Sequence, residues 1–176
     1  MFNVEHPLIH RLFYPQVPLV MAAQDGSRVS AMPVVFYMSV SERPPMVAID
    51  SRPESTTYSL ALKSHSFSLS VLDRSNSRAL SRLVTLGDSM DGDLLSRVGL
   101  SYSTGKRLKV PCIESAVATI ECTLSSKKRL GDHFLLIGKV EAAYATDAFN
   151  EFWDFTRYRP ILYTGWRVGL TTYSKS

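Results

Sequence analysis

A run of alternating apolar and polar residues at 116–124 constrains the fold of this 176-residue chain more than any other feature. Its even positions are apolar, which is the period of a β-strand with one buried face. A second extended run at 133–145 follows a Gly-Asp turn, so the two runs are predicted to pair as an antiparallel hairpin. The polar positions of the first run are predicted to face solvent; they are Thr119, Glu121 and Thr123.

The rest of the chain alternates between strand-like and helix-like patterns. Extended runs are predicted at 17–23, 29–41, 46–51, 67–72 and 159–169. Asp25-Gly26 marks a hairpin turn after the first run, and Pro33 removes one ladder hydrogen bond within the second. About six strands then favour a closed or nearly closed antiparallel barrel.

Helical spacing appears between these strands. Residues 54–65 are predicted to form a helix capped by Ser55 or Thr56. Residues 76–87 are predicted to form a second, with Asn76 at its N-cap, and 92–100 adds one or two helical turns. The predicted class is therefore mainly β with a few short peripheral helices, in a single domain spanning 1–176.

Composition excludes several classes of function. Hydrophobic residues make up 45% of the chain and charged residues 20%, which suits a packed core and not a disordered segment. The net charge is +4, but Lys and Arg are scattered and are densest only at 127–129, without the stripe that nucleic-acid binding requires. A small anionic ligand fits this charge better. No signal peptide or membrane span is apparent, so a cytoplasmic protein is expected.

The metal-binding residue types lack the spacing of a metal site. Cys112 and Cys122 are far from any CxxC motif, and the four histidines do not lie at ligand spacing. We therefore expect no metal, and Cys122, which lies in the apolar phase of its run, is predicted to be a core residue.

The stretch at 50–60 is a candidate anion site. Arg52 follows a predicted strand, and the hydroxyl residues Ser55, Thr56 and Thr57 stand at a predicted helix start. Free N–H groups at a helix start, together with a guanidinium, suit a phosphate. Plain helix capping beside a surface arginine explains the same residues.

The turn before the run at 133–145 places Asp132 beside His133. Gly, Asp and His are ordinary turn residues, so a turn whose imidazole is satisfied by backbone groups is one interpretation. The other is a turn that lies beside a bound cofactor, where the imidazole takes part in chemistry.

Four ordered segments resemble the flavin reductase-like, FMN-binding split-barrel family over roughly 15–165. The first two, "SAMPVVFYMSVSERPPMVAIDS" and "ESTTYSLALKSHSFSLSVL", cover 30–51 and 54–72. The third is the pair "PCIESAVATIECTL" and "GDHFLLIGKVEAA", and the fourth is "RPILYTGWR". No single segment is specific, but their order and spacing match the family.

The resemblance implies a six-stranded Greek-key split barrel that binds FMN as a homodimer. Backbone groups of four consecutive residues would line the isoalloxazine: Met32, Pro33, Val34 and Val35. Ser51, Arg52 and Thr57 would hold the phosphate, together with Thr56 of the anion site. Asp132 and His133 would lie at the flavin and nicotinamide end, with Asp132 among the cofactor-binding residues.

This sequence departs from the family in the flavin-binding stretch. The family's T-A-S-S is replaced by residues 33–36, Pro-Val-Val-Phe, so hydroxyls that bond the flavin are missing. The family Asn of F-x-V-N is Ser70, a shorter side chain.

The implied activity is NAD(P)H-dependent reduction of FMN by hydride transfer to flavin N5, with His133 as the candidate catalytic residue. Reduced flavin or electrons would pass to a partner such as a monooxygenase or an acceptor protein. Two alternatives stay open: a flavoredoxin-like electron-transfer protein with little NAD(P)H activity, and a split barrel that binds no flavin. The segment 149–163, rich in aromatic residues, is predicted to join a dimer interface or to cover the flavin.

Overall fold

The computed structural model describes residues 3–87, 93–165 and 169–172. In chain order the strands are β1 (Leu19–Asp25), β2 (Arg28–Val34), β3 (Tyr37–Glu42), β4 (Pro45–Ser51), β5 (Ser66–Val71), β6 (Tyr102–Thr104), β7 (Pro111–Ile113), β8 (Ala118–Leu130), β9 (His133–Ala145), β10 (Ile161–Tyr163) and β11 (Leu170–Thr172). The α-helices are α1 (Thr56–Ser64), α2 (Ser77–Leu86) and α3 (Leu94–Val98), and 3-10 helices cover His6–Phe13 and Arg74–Asn76.

The main sheet of the described residues has seven antiparallel strands in the order β2-β1-β5-β8-β9-β4-β3. Smaller two-stranded sheets pair β6 with β7 and β10 with β11. The mainly β class is confirmed, but the predicted number of strands is too low. The predicted run at 29–41 is interrupted at 35–36 and forms two strands, β2 and β3. Of the predicted last strand, 159–169, the structure forms β10, while 166–168 lie outside the described residues.

The predicted hairpin that joins β8 and β9 is confirmed. Leu130 pairs with His133 at its tip, so the turn consists of Gly131 and Asp132 alone. Gly131 has a φ of +63°, a conformation that glycine adopts without strain. The turn therefore holds His133 at the first position of a regular strand.

Pro33 lies within β2, as the sequence indicated, and costs little there. It pairs with Val20 of β1, and β2 is an edge strand of the sheet. A proline lacks an N–H, so an edge strand tolerates it where a central strand does not.

The sheet curls around one apolar core, to which α1 adds side chains. Its fully buried members include Met21, Ile49, Phe67, Leu69 and Cys122. Cys122 is thus confirmed as a core residue, and burial raises the pKa of its thiol to about 12. The thiol is therefore inert at neutral pH.

A second apolar layer lies outside the sheet, where α2 and α3 pack on β1 and β2. Leu80 and Leu83 of α2 are fully buried against this face. Both predicted helices at 54–65 and 76–87 are confirmed, but their caps differ. Ser55 accepts a hydrogen bond from the N–H of Tyr58, whereas the Asn76 amide donates to Ser115 instead of capping α2.

The prediction that the polar face of β8 is exposed is wrong for Thr119 and Glu121, which are buried. The β6–β7 hairpin and the loop that joins its strands cover this face. The Glu121 carboxylate accepts hydrogen bonds from three consecutive backbone N–H groups, at 2.7, 2.9 and 2.6 Å; the donors are Lys106, Arg107 and Leu108. These bonds replace the water that a solvent-facing carboxylate would have had.

Candidate functional site

Three segments meet at one edge of the barrel, where β4 ends. They are residues 50–52, residues 55–57 at the start of α1, and residues 132–133 at the β8–β9 turn; together we call them the polar rim. The meeting follows from register, since Ser51 pairs with Phe134 across β4 and β9. The ring of Phe134 in turn stacks on Tyr58 of α1, with centroids 5.2 Å apart.

The inner side of the rim is a buried set of hydroxyls that fixes α1 to β2. The Ser55 hydroxyl donates to the sulfur of Met32 at 3.2 Å, and the Ser51 hydroxyl lies 4.0 Å from the same atom. Thr57 and Ser30 share a hydrogen bond of 2.9 Å. Ser51 and Thr57 are buried, so in this conformation their hydroxyls point into the barrel; their role as phosphate ligands stays a prediction.

The outer side of the rim presents charge to solvent. Arg52 is exposed and Thr56 is half-buried at the start of α1. Burial raises the pKa of Asp50 and the hydrogen bond with His133 lowers that of Asp132, and the positive charge of Arg52 acts in a minor way to lower both. The combination of a solvent-facing guanidinium and a helix start can hold an anion.

His133 lies on the outer face of β9 between two carboxylates. Its Nδ1 is 2.8 Å from Oδ1 of Asp132, and its Nε2 is 3.7 Å from Oδ2 of Asp50. The hydrogen bond with His133 is the main cause that lowers the pKa of Asp132. Burial has the opposite effect on the other carboxyl and raises the pKa of Asp50.

The predicted flavin-binding stretch at 32–35 divides by side-chain direction. Met32 and Val34 point into the core, whereas Pro33 and Val35 are half-buried on the other side. The chain then turns toward β3, and the Phe36 carbonyl accepts the backbone N–H of Asp50 at 2.9 Å. The outward backbone of this stretch and the polar rim are therefore neighbours.

At the other end of the same strands, the barrel opens into a cavity of about 1000 Å³. We call it the apolar mouth. Strands β1, β3, β4, β5, β8 and β9 line it with mostly aliphatic side chains, which include Leu19, Val47, Leu69 and Ile120.

The aromatic segment 149–163 forms the outer wall of the apolar mouth. Trp153 and Tyr158 line it, with ring centroids 4.4 Å apart. Phe152 is 81% exposed, and Phe149 and Phe155 are also exposed. Such a cluster of exposed aromatic side chains is typical of an interaction surface.

A family model described as flavin reductase like domain matches residues 10–164 of the chain. The chain belongs to the flavin reductase-like family. Among curated proteins, an uncharacterized protein of Aeropyrum pernix is 32% identical over 161 residues, which is 89% of this chain and 60% of that protein. A flavin reductase of Pseudomonas putida is 30% identical over 128 residues, which is 72% of this chain and 71% of that protein.

Among solved structures, the FMN-binding protein from Thermus thermophilus with bound 1-cyclohex-2-enone is 26% identical to this flavin reductase-like protein. The two chains superpose with a TM-score of 0.80, over 98% of this chain and 94% of that one. The split-barrel class predicted from the sequence is thereby confirmed.

In this flavin reductase-like protein, the structure brings the predicted residues Ser51, Arg52, Thr56, Asp132 and His133 to one edge. It adds one residue that sequence reasoning missed, Asp50, which faces His133. No local signal marks Asp50, because the contact depends on the pairing of β4 with β9.

A second missed neighbour of the rim is Lys127, whose ammonium lies 5.8 Å from the centroid of the Phe134 ring. The charged run at 127–129 was the signal that could have found it. Within residues 3–87, 93–165 and 169–172, no cluster of His, Cys, Asp and Glu is suited to a metal ion. Over the same residues, no helix is long and apolar enough to cross a membrane.

Proposed function

We propose that this chain binds FMN at the polar rim and catalyses its reduction with NAD(P)H as the electron donor. The observation that carries the proposal is the meeting of Arg52, the start of α1 and His133 at one edge of a flavin reductase-like barrel. Bound FMN would supply the redox chemistry, which is acceptance of a hydride from nicotinamide C4 at flavin N5.

The residues present fit the phosphate end of FMN. Arg52 forms no salt bridge with the described residues, so its planar guanidinium is available to an anion. Thr56 offers a half-buried hydroxyl and a backbone N–H at the start of a nine-residue helix. Ser51, Ser55 and Thr57, on the inner side of the rim, would support this phosphate site from within the barrel.

The residues also fit the ring end. The backbone beside Pro33 and Val35 would bond the isoalloxazine edge, because the hydroxyls found there in the family are missing from this chain. Burial of Met32 and Val34 keeps this backbone rigid. His133, with Asp132 on its Nδ1, would orient the nicotinamide or donate a hydrogen bond to the reduced flavin.

We propose that the active form is a two-fold homodimer whose interface includes the apolar mouth. The cavity of about 1000 Å³ is lined mainly by apolar side chains, and Phe152 and Phe155 of the aromatic segment are exposed, so a second copy of the chain would cover both. The dimer would supply reduced flavin or electrons to a monooxygenase or another acceptor protein.

Purified protein mixed with NADH or NADPH and free FMN tests the activity by loss of nicotinamide absorbance. Steady turnover supports the reductase. A yellow protein that oxidises either nucleotide only slowly, yet is reduced by a protein donor, supports the flavoredoxin-like alternative. A colourless protein with no flavin affinity would contradict both.

The cofactor is proposed to be FMN, not FAD, because Arg52 and the start of α1 would engage a terminal phosphate. Mass spectrometry of the flavin released from the purified protein tests this. FAD as the sole released flavin would overturn the assignment.

His133→Ala tests the imidazole at the ring end. We expect slower flavin bleaching in stopped-flow experiments with excess NADH, without a lower melting temperature, because Gly131 and the β8–β9 ladder hold the turn. An unchanged bleaching rate in the folded variant would leave the turn with a structural role only.

A further inference from the structure

The outer face of β9 holds an imidazole with a carboxylate at each ring nitrogen. Oδ1 of Asp132 is 2.8 Å from Nδ1 of His133, and Oδ2 of Asp50 is 3.7 Å from Nε2. An acceptor at one nitrogen decides which nitrogen carries the proton, and acceptors at both restrict rotation of the ring. His133 is therefore hydrogen-bonded to Asp132 and has a second carboxylate, that of Asp50, just beyond hydrogen-bond distance on its other side.

The two carboxylates differ in how firmly they are held. Asp132 belongs to the two-residue turn, and its side chain is 93% exposed. Asp50 belongs to β4, which lies between β3 and β9 in the sheet, and its side chain is 28% exposed. An ion pair as exposed as that of Asp132 contributes little to orientation, since water competes for both partners.

The backbone of Asp50 lies between two neighbouring segments of the sheet and is hydrogen-bonded to one of them. Its N–H donates to the Phe36 carbonyl at 2.9 Å, and across β9 the residue pairs with Leu135, which lies on the same face as His133. A side chain that projects from a strand with neighbours on both sides keeps its position better than one on a turn, so Asp50 is the more rigid of the two carboxylates.

The electrostatics at Asp50 agree with a specific function. Burial raises its pKa, although the nearby His133 and Arg52 act to lower it. A carboxyl held where its charge is disfavoured by desolvation costs stability, and such groups concentrate at functional sites. The charged groups within 4 Å of the His133 ring nitrogens are Asp50 from β4 and Asp132 from the turn; Lys128 of β8 lies on the same face of the sheet by register.

We propose that Asp50 is the positioning residue of His133: it holds the ring by its Nε2 side, in the orientation that hydride transfer requires. The inference rests on the proposed function, in which His133 lies at the ring end of the flavin. The 3.7 Å separation exceeds a hydrogen bond, and we expect it to shorten when ligands bind.

Two matched variants test the proposal, Asp50→Asn and Asp132→Asn. Each variant replaces one of the two carboxylates beside the His133 ring by an amide of nearly the same size. Three measurements are made on each: stopped-flow flavin bleaching over a range of NADH concentrations, nitrogen-15 NMR signals of the His133 ring in flavin-free protein, and a thermal melt.

We expect Asp50→Asn to slow bleaching at saturating NADH by roughly tenfold to a hundredfold, because a misplaced ring loses its transition-state contact. The NADH concentration for half-maximal rate should change little. Asp132→Asn should slow bleaching by less than about threefold, in line with its exposure. Asp50→Glu, which restores the carboxylate, should recover part of the rate.

The NMR measurement separates this inference from the proposed function. In wild-type protein the ring signals should report one dominant proton arrangement, and Asp50→Asn should change it more than Asp132→Asn does. Equal effects of the two variants, in rate or in ring signals, would overturn the role of Asp50.

A protein that reduces no flavin would contradict the proposed function, while the ring signals would still decide whether Asp50 orients His133. If Asp50→Asn melts too low to measure, Asp50→Glu decides, because it displaces the carboxylate by one methylene. Ring signals and a bleaching rate altered more than by Asp132→Asn would support the role of Asp50, and ring signals and a rate identical to wild type would overturn it.

Discussion

The polar rim and the apolar mouth lie on the same strands but differ in chemistry. On β4, Ser51 belongs to the rim and Val47 lines the mouth, and the four positions from one to the other span about 13 Å. The rim combines buried hydroxyls with exposed charge, and the mouth combines aliphatic walls with aromatic side chains. One barrel thus presents two binding surfaces: the rim, which would recognise a ligand through directional hydrogen bonds, and the mouth, which would bind a partner through its apolar area.

This difference teaches where stability and specificity reside. Apolar burial is non-directional and stabilises the barrel wherever it occurs. Charge-assisted bonds contribute less to folding and more to the choice of ligand. Changes at the mouth should therefore alter stability and assembly, while changes at the rim should alter ligand affinity.

The largest effect is expected from Leu69→Ala at the wall of the mouth. Leu69 is fully buried, and truncation should lower the free energy of unfolding by about 2–5 kcal/mol, through lost burial and the space left behind. Urea unfolding measures the change. Ser59→Ala, exposed on α1 near the rim, serves as control and should stay within about 0.5 kcal/mol of wild type. A loss below 1 kcal/mol for Leu69→Ala would show that the mouth adds little to stability.

Next in size is Arg52→Ala at the rim. Loss of a charge-assisted phosphate contact of about 1.5–3 kcal/mol should weaken FMN binding roughly tenfold to a hundredfold. Riboflavin, which lacks the phosphate, should bind as before. Fluorescence titration with both ligands measures this. Arg43→Ala, at the turn before the other end of β4, is the matched control and should affect neither ligand. Equal losses for FMN and riboflavin would assign Arg52 to folding or to the ring.

Met38→Glu should weaken the proposed dimer at least about tenfold, because a two-fold interface buries the new charge twice. Met38 lines the mouth and is 61% exposed. Leu130→Glu, which places the same charge on an exposed residue at the rim end of the barrel, should leave assembly unchanged. Sedimentation over a range of protein concentrations compares the two variants. A wild-type protein that is monomeric at micromolar concentration would contradict the interface.

The smallest effect is expected from Ser55→Ala, which removes the N-cap of α1. The cost should be about 1 kcal/mol, or about 2–4 °C in melting temperature for a chain of this size. FMN affinity should fall as well, because α1 would no longer present its start to the phosphate. Ser64→Ala, at the last position of α1, offers a comparison at the opposite end of the helix. A fall in stability without any fall in FMN affinity would show that the Ser55 cap has no role in ligand binding.

Local patterns predicted the elements whose cause is local. The β8–β9 hairpin follows from alternation and a two-residue turn, and α1 follows from its spacing and the Ser55 cap. The break between β2 and β3 escaped prediction, because both strands have extended residues and only their different partners distinguish them. The burial of Glu121 escaped as well, since a distant loop supplies the N–H groups that satisfy it.

The sequence by itself determined the mainly β class, the core position of Cys122 and the segments that carry Arg52 and His133, because period, turn chemistry and charge are properties of neighbouring residues. Only the tertiary structure decided which of these face one another. The pairing of β4 with β9 sets Asp50 against His133 and Ser51 beside Phe134, and the curvature of the sheet opens the apolar mouth at the opposite end. The physical reason is that register between distant strands is set by the whole packed core, and no single stretch of the chain contains that information.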